Sequence, residues 1–160
     1  MKRSREVDPV HDAVMIHSVE KLIEAIAQGA NIDALDREGR TALFYAVRDG
    51  DIEIAEELIR QGSNVNIPDK GLKTPLHFAA SFYQPDVAEL LLKNGADVDA
   101  EDAHGNTPLS DAVFDSMGRG EVIKLLLSYG ANKTLKNKHG VSPDDLAKSI
   151  GNYDITPFLT

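Results

Sequence analysis

The chain has 160 residues, the size of one ordinary domain, and although 42% of them are hydrophobic, no apolar run approaches the roughly 18 residues that a membrane span requires. It carries 17 Lys and Arg against 26 Asp and Glu, and this net charge of −9 disfavours binding to nucleic-acid phosphate and favours cationic partners. Cysteine is absent, which excludes disulfides and cysteine nucleophiles and fits a cytoplasmic location.

Two landmarks repeat along the chain with the same spacing. Glycines followed by Ala or Ser recur after 33, 33 and 35 residues, at positions 29, 62, 95 and 130. Hydroxyl residues show the same intervals, at Thr41, Thr74, Thr107 and Ser142. A fixed period of this length indicates a stack of similar structural units.

Each unit is predicted to contain two short helices. The hydroxyl residues can cap the start of a first helix, and proline follows three of them, at 75, 108 and 143. Asp8 and Pro9 supply the same chemistry to the first unit. Apolar residues then recur at helical spacing in each second helix, for example at Val87 and Leu91, and the repeated glycines end these helices. A small residue recurs within the first helices, at Ala46, Ala79, Ala112 and Ala147, and lets neighbouring units stack closely.

The segment Thr74-Pro75-Leu76-His77-Phe78-Ala79-Ala80, with the run at 87–99, resembles an ankyrin repeat. The resemblance implies an all-α solenoid of stacked helix-turn-helix units joined by β-hairpin-like turns. It also implies that His77 bonds to the backbone of the neighbouring hairpin. We expect a single domain over 1–160, divided into an N-terminal cap at 7–35, repeats at 36–68, 69–101 and 102–136, and a C-terminal cap at 137–160.

Three places depart from the repeat. Leu72 stands where the other hairpins have glycine, at Gly39, Gly105 and Gly140, so we expect a reshaped hairpin. Two extra residues in the segment 115–121 predict a longer and looser loop around Met117 to Gly120, either a tolerated insertion or a partner contact. Charged residues replace apolar ones at Asp111, Lys133 and Asp144, so we expect the last unit to unfold first.

Catalytic and metal-binding patterns are weak. His104 and His139 occupy matching hairpin positions and are either a two-ligand metal site or solvated tip residues, of which we favour the second. Asp111 and Asp115, four residues apart on one helix face, fit a partner contact better than acid–base catalysis. We therefore expect a non-enzymatic protein without cofactor or metal.

Binding proteins of this family use a groove lined by the hairpin tips and the exposed face of the first helices. The residues that this implies are, on the tips, Arg37, Arg40, Lys70, Lys73, His104 and Asn106, and, on the helices, Met15, Ile16, Arg48, Asp49, Ser81, Phe82, Asp111, Phe114 and Asp115. Phe82 and Phe114 are either exposed anchors for a partner, or they pack into the core or cover the turn between the two helices of their unit.

The C-terminal stretches 136–147 and 150–155 resemble small bacterial ankyrin proteins, some of which neutralise toxins as immunity proteins. We expect a monomer that binds one protein partner, a toxin or another cationic protein, and inhibits it by occlusion. The alternatives are a scaffold or regulatory subunit of a cytosolic complex, or a secreted effector. The effector would need a transport signal, which we do not find because Asp8 and Asp12 interrupt the N-terminal apolar residues.

Overall fold

A computed structural model describes residues 8–151 and 154–160. Within those residues the chain forms helices and no β-strand, which confirms the predicted all-α solenoid. The helices are α1 Pro9–Met15, α2 Val19–Ala27, α3 Ala42–Asp49, α4 Ile52–Arg60, α5 Pro75–Ser81, α6 Pro85–Lys93, α7 Pro108–Phe114, α8 Glu121–Ser128 and α9 Pro143–Ser149, followed by a 3₁₀ helix at Thr156–Leu159.

The helices form two layers. The first helices α1, α3, α5, α7 and α9 pack on one another in chain order, and the second helices α2, α4, α6 and α8 form the other layer. The recurring alanines of the first layer are all buried, as predicted, and Leu58 and Leu91 of the second layer are fully buried. In the described part of the chain, no helix has the length and apolar content needed to cross a membrane.

The predicted residues occupy the N-cap positions of the first helices, but their hydrogen bonds differ, and the hydroxyl of Thr41 makes no capping bond. The Asp8 carboxylate accepts the backbone N–H of Val10 at 3.0 Å, and Ser142 accepts that of Asp145 at 3.1 Å. The hydroxyl of Thr74 instead lies 2.9 Å from Nδ1 of His77. Each second helix ends as predicted in a glycine with positive φ, for example Gly62 at 97°.

Hairpin-like turns join the units and bond to one another side by side. The backbone N–H of Lys70 donates to the carbonyl of Glu38, that of Ala103 to Gly71, and that of Lys138 to His104, at 2.9–3.1 Å. His77 strengthens this join as predicted, because its Nε2 donates to the carbonyl of Asn106 at 3.1 Å.

The expected reshaping of the hairpin at Leu72 is wrong. Leu72 adopts a φ of 60°, close to the 76° and 77° of Gly39 and Gly105. Its N–H donates to the carbonyl of Asp69, as the glycines bond to Asp36 and Asp102 in their own turns. The hydrogen bonds of the turn therefore impose a left-handed conformation that leucine does not favour.

The expected loose loop around Met117 to Gly120 is also wrong at both of its ends. Ser116 is buried, and the guanidinium of Arg119 lies 3.9 Å from the centre of the Tyr83 ring. Gly120 is buried against the ring of Phe158 from the C-terminal segment. The tip, at Met117, stands out into solvent, with 71% of its surface exposed, and Arg119 is exposed as well.

Candidate partner-binding groove

A groove of about 520 Å³ opens between the hairpin tips and the first helices of the later units. We refer to it as the C-terminal groove. Its lining contains six of the predicted contact residues, which are Lys73, Ser81, Asn106, Asp111, Phe114 and Asp115. The rest of the lining comes from Ser110, Asn137, His139, Val141, Ser142 and Leu146.

Lys73 and Asp111 form an ion pair in this groove. Lys73 Nζ lies 2.8 Å from an oxygen of Asp111, and the carboxylate is largely buried. The pair joins one hairpin to the first helix of the following unit. Asp111, which we expected to weaken packing, is therefore stabilised by a charged partner.

Asp115 ends α7 at the side of the groove and differs from Asp111. Burial raises the pKa of Asp115, and the nearby Asp111 carboxylate adds to the rise, while a hydrogen bond to Ser81 and the charge of Lys73 oppose it. Among the described residues, Asp115 forms no ion pair within 4.0 Å. A cation bound beside this carboxylate would offset the two effects that disfavour its charged form, namely burial and repulsion from Asp111.

The two phenylalanines lie outside the core. Phe114 is 70% exposed and lines the groove, and Phe82 is 52% exposed with its ring centre 6.1 Å from that of Phe78. The alternative that these rings are buried in the core is excluded. Met117, at the tip of the loop that follows α7, is a third exposed apolar side chain.

Nine predicted contact residues do not line the groove. Some of them already have partners inside the chain. Arg48 forms a two-point ion pair with Asp49, at 2.6 and 3.0 Å, and lies 4.9 Å from the Tyr45 ring centre. Arg40 lies 5.5 Å from the centre of the Phe78 ring. The other six, all exposed, are Met15, Ile16, Arg37, Lys70, Phe82 and His104.

His104 and His139 lie next to each other on neighbouring hairpin tips. Their rings stack with centres 6.4 Å apart and planes 25° apart. In the part of the chain that the structure describes, no group of three or more His, Cys, Asp or Glu residues is placed to hold a metal ion. The histidine pair thus lacks a third ligand there.

Sequence reasoning missed three residues that the last unit contributes to the groove. Val141 and Leu146 form an apolar side of the groove, and Asn137 donates from its amide to the side-chain oxygen of Asn106 at 2.8 Å. These residues belong to the segment that we expected to act as a cap. Their register matches that of Asp69 to Phe78, two units earlier, and this repetition was the available signal.

Comparison with known proteins agrees with the repeat geometry. A family model described as ankyrin repeats, in three copies, matches residues 10–102 and again 70–137. A search of curated proteins gave no match. Ankyrin repeats are in general non-enzymatic modules for protein–protein interaction. The paired helices, the bonded hairpins and the family match together show that this chain belongs to the ankyrin repeat family.

Proposed function

We propose that this protein binds one protein partner at the C-terminal groove. The observation that carries the proposal is Phe114, a large aromatic side chain that stands 70% exposed at the edge of a groove containing two carboxylates. Aromatic side chains beside a polar rim are frequent anchors of protein interfaces because burying them contributes much of the binding free energy.

The polar chemistry of the groove favours a basic side chain on the partner. The ion pair with Asp111 already occupies Lys73, whereas Asp115 forms no ion pair within 4.0 Å among the described residues. An Arg or Lys placed over Phe114 would neutralise Asp115 and contact the aromatic face at the same time. The net charge of −9 would also attract a cationic protein over a longer range.

Our narrower proposal is that binding inhibits a bacterial toxin, as an immunity protein does. The stretch 136–147, which resembles small bacterial ankyrin proteins, supplies five residues of the groove lining, from Asn137 to Leu146. An inhibitor acting through this stretch would cover a functional surface of the toxin. A scaffold or regulatory subunit is the alternative, in which the partner stays active when bound.

Site-specific cross-linking tests where the partner binds. A photoreactive phenylalanine analogue in place of Phe114 should give a covalent adduct in cells, whereas the same analogue at Glu56, exposed on the second-helix layer, should not. Adducts from position 56 alone would place the partner on the opposite face and contradict the proposal.

Co-expression tests whether binding inhibits. A toxin-like protein encoded next to this gene should be neutralised by the wild type and less well by Phe114→Ala. If the bound partner stays active, the regulatory alternative replaces inhibition, and the binding proposal stands.

A further inference from the structure

Leu72 adopts an unfavourable backbone conformation, and packing of its side chain in the hydrophobic core does not offset this. Leu72 takes the left-handed conformation that glycine takes in the matching hairpins. The side chain is 49% exposed, and the hydrophobic cluster of the described residues does not include it. A bulky residue kept in a disfavoured conformation without core packing indicates a role for its side chain outside the fold.

The surroundings of Leu72 are basic, in contrast to the protein as a whole. Arg37, Lys70 and Lys138 are exposed on the same row of hairpin tips, with Glu38 as the exposed anion among them. Hydrogen bonds between the hairpins hold this row together on both sides of Leu72. An apolar side chain is thus fixed within a cationic strip on a protein whose net charge is −9.

We propose that Leu72 is an anchor for a partner segment that carries an apolar side chain flanked by Asp or Glu. The segment would lie across the hairpin tips, with its apolar side chain against Leu72 and its carboxylates facing Lys70 and Arg37. This inference rests on the proposed function and adds a second, acidic contact region to the partner. A peptide fits better than nucleic acid, because Leu72 offers an apolar contact and the net charge opposes phosphate.

Peptide display on the full-length protein tests this assignment. A library of random peptides displayed on phage is selected against the wild type, and the enriched peptides are synthesised and measured by fluorescence anisotropy. We expect enriched peptides with an apolar residue between acidic ones, and binding about tenfold weaker to Leu72→Ala and to Leu72→Gly. Leu72→Gly also relaxes the backbone, so weaker binding to both variants identifies the side chain as the cause.

Leu35→Ala is the matched control, because Leu35 is an exposed leucine without a positive φ. It should leave peptide affinity unchanged. No enrichment, enrichment of basic peptides, or equal binding by the Leu72 variants would each overturn the inference. Loss of binding in Phe114→Ala together with unchanged binding in both Leu72 variants would overturn it and leave the groove proposal standing.

Discussion

His77 is held neutral by the positions of its two ring nitrogens. Nδ1 accepts the backbone N–H of Thr74 at 3.1 Å, and Nε2 donates to the carbonyl of Asn106 at 3.1 Å. A second proton on Nδ1 would face the Thr74 N–H and break that bond. Burial lowers the pKa of His77 below its ordinary value of 6.5. The unfolded chain therefore binds the proton more readily, and stability falls as the pH drops below about 6.5.

We expect His77→Leu to remove this histidine's share of the acid sensitivity. Near neutral pH the variant should lose about 2 kcal/mol of unfolding free energy, because the Thr74 N–H and the Asn106 carbonyl lose a buried partner. Below pH 6.5 the difference in unfolding free energy between the variant and the wild type should become smaller, because only the unfolded wild type can take up this proton. Urea unfolding across this pH range measures both effects.

His139→Gln serves as the control, because His139 is exposed. Its unfolding curves should follow those of the wild type at each pH. A gap between wild type and His77→Leu that stays constant with pH would show that His77 is not responsible for the acid sensitivity.

Leu72→Gly should raise stability. A left-handed leucine costs about 1–2 kcal/mol, and the greater freedom of glycine in the unfolded chain takes back part of that gain, so we expect a net increase of about 0.5–1 kcal/mol. The same change at Leu35, where φ is not positive, should be neutral or destabilising. Urea midpoints that fall in both variants would contradict the strain at Leu72.

At the scale of elements, the insertion before α8 is held by contacts that are distant in sequence. Gly120 precedes this helix, and the ring of Phe158 lies against it. Lys124, one turn later, lies with its Nζ 5.0 Å from the centre of the same ring. The inserted loop and the C-terminal 3₁₀ helix therefore stabilise each other.

Gly120→Ala should disrupt this contact. An added Cβ would come within 2.5 Å of Phe158 Cγ, so the ring must move. We expect a loss of about 1–3 kcal/mol, the usual cost of overpacking. Gly151→Ala is the control, since its Cβ would meet no described atom within 4 Å. Equal urea midpoints for the two variants would show that the C-terminal segment does not pack on the insertion.

The sequence predicts the elements well because their signals are local. Helix caps such as Ser142 and helix-ending glycines such as Gly62 depend on nearby residues, and they recur with the period. The predictions from sequence are wrong where residues distant along the chain determine the local conformation. The conformation of Leu72 is set by hydrogen bonds that recur in each hairpin turn, and Gly120, at the end of the inserted loop, packs on a ring 38 residues away. The exposure of Phe114 likewise depends on neighbouring units, so the pattern of its own helix left two alternatives.

At the scale of the whole molecule, the described helices pack mainly on those of neighbouring units, and α9 packs on one first helix, α7, whereas α5 packs on two. The charged residues Lys133, shortly before the last unit, and Asp144, within it, are not the weakness that the sequence indicates. Lys133 Nζ donates to the carbonyl of Leu159, and Asp144 forms an ion pair with Lys148 at 2.7 Å. The last unit differs from the others in its secondary structure. After α9 the described residues form a 3₁₀ helix, whereas earlier units have a second α-helix.

We therefore expect unfolding to begin at the C-terminal unit, and hydrogen exchange measured by mass spectrometry can detect it. Amides of α9 should exchange faster than those of α5, which is packed between two neighbouring first helices. Ile155→Ala, which opens a cavity under the 3₁₀ helix, should speed exchange in α9 and leave α3 unchanged.

Leu91→Ala, in the fully buried middle of the stack, should cost about 2–5 kcal/mol and speed exchange in α5 as well as α9. Protection of α9 equal to that of α5 in the wild type would mean that the units unfold together, and that packing on a single first helix does not weaken α9.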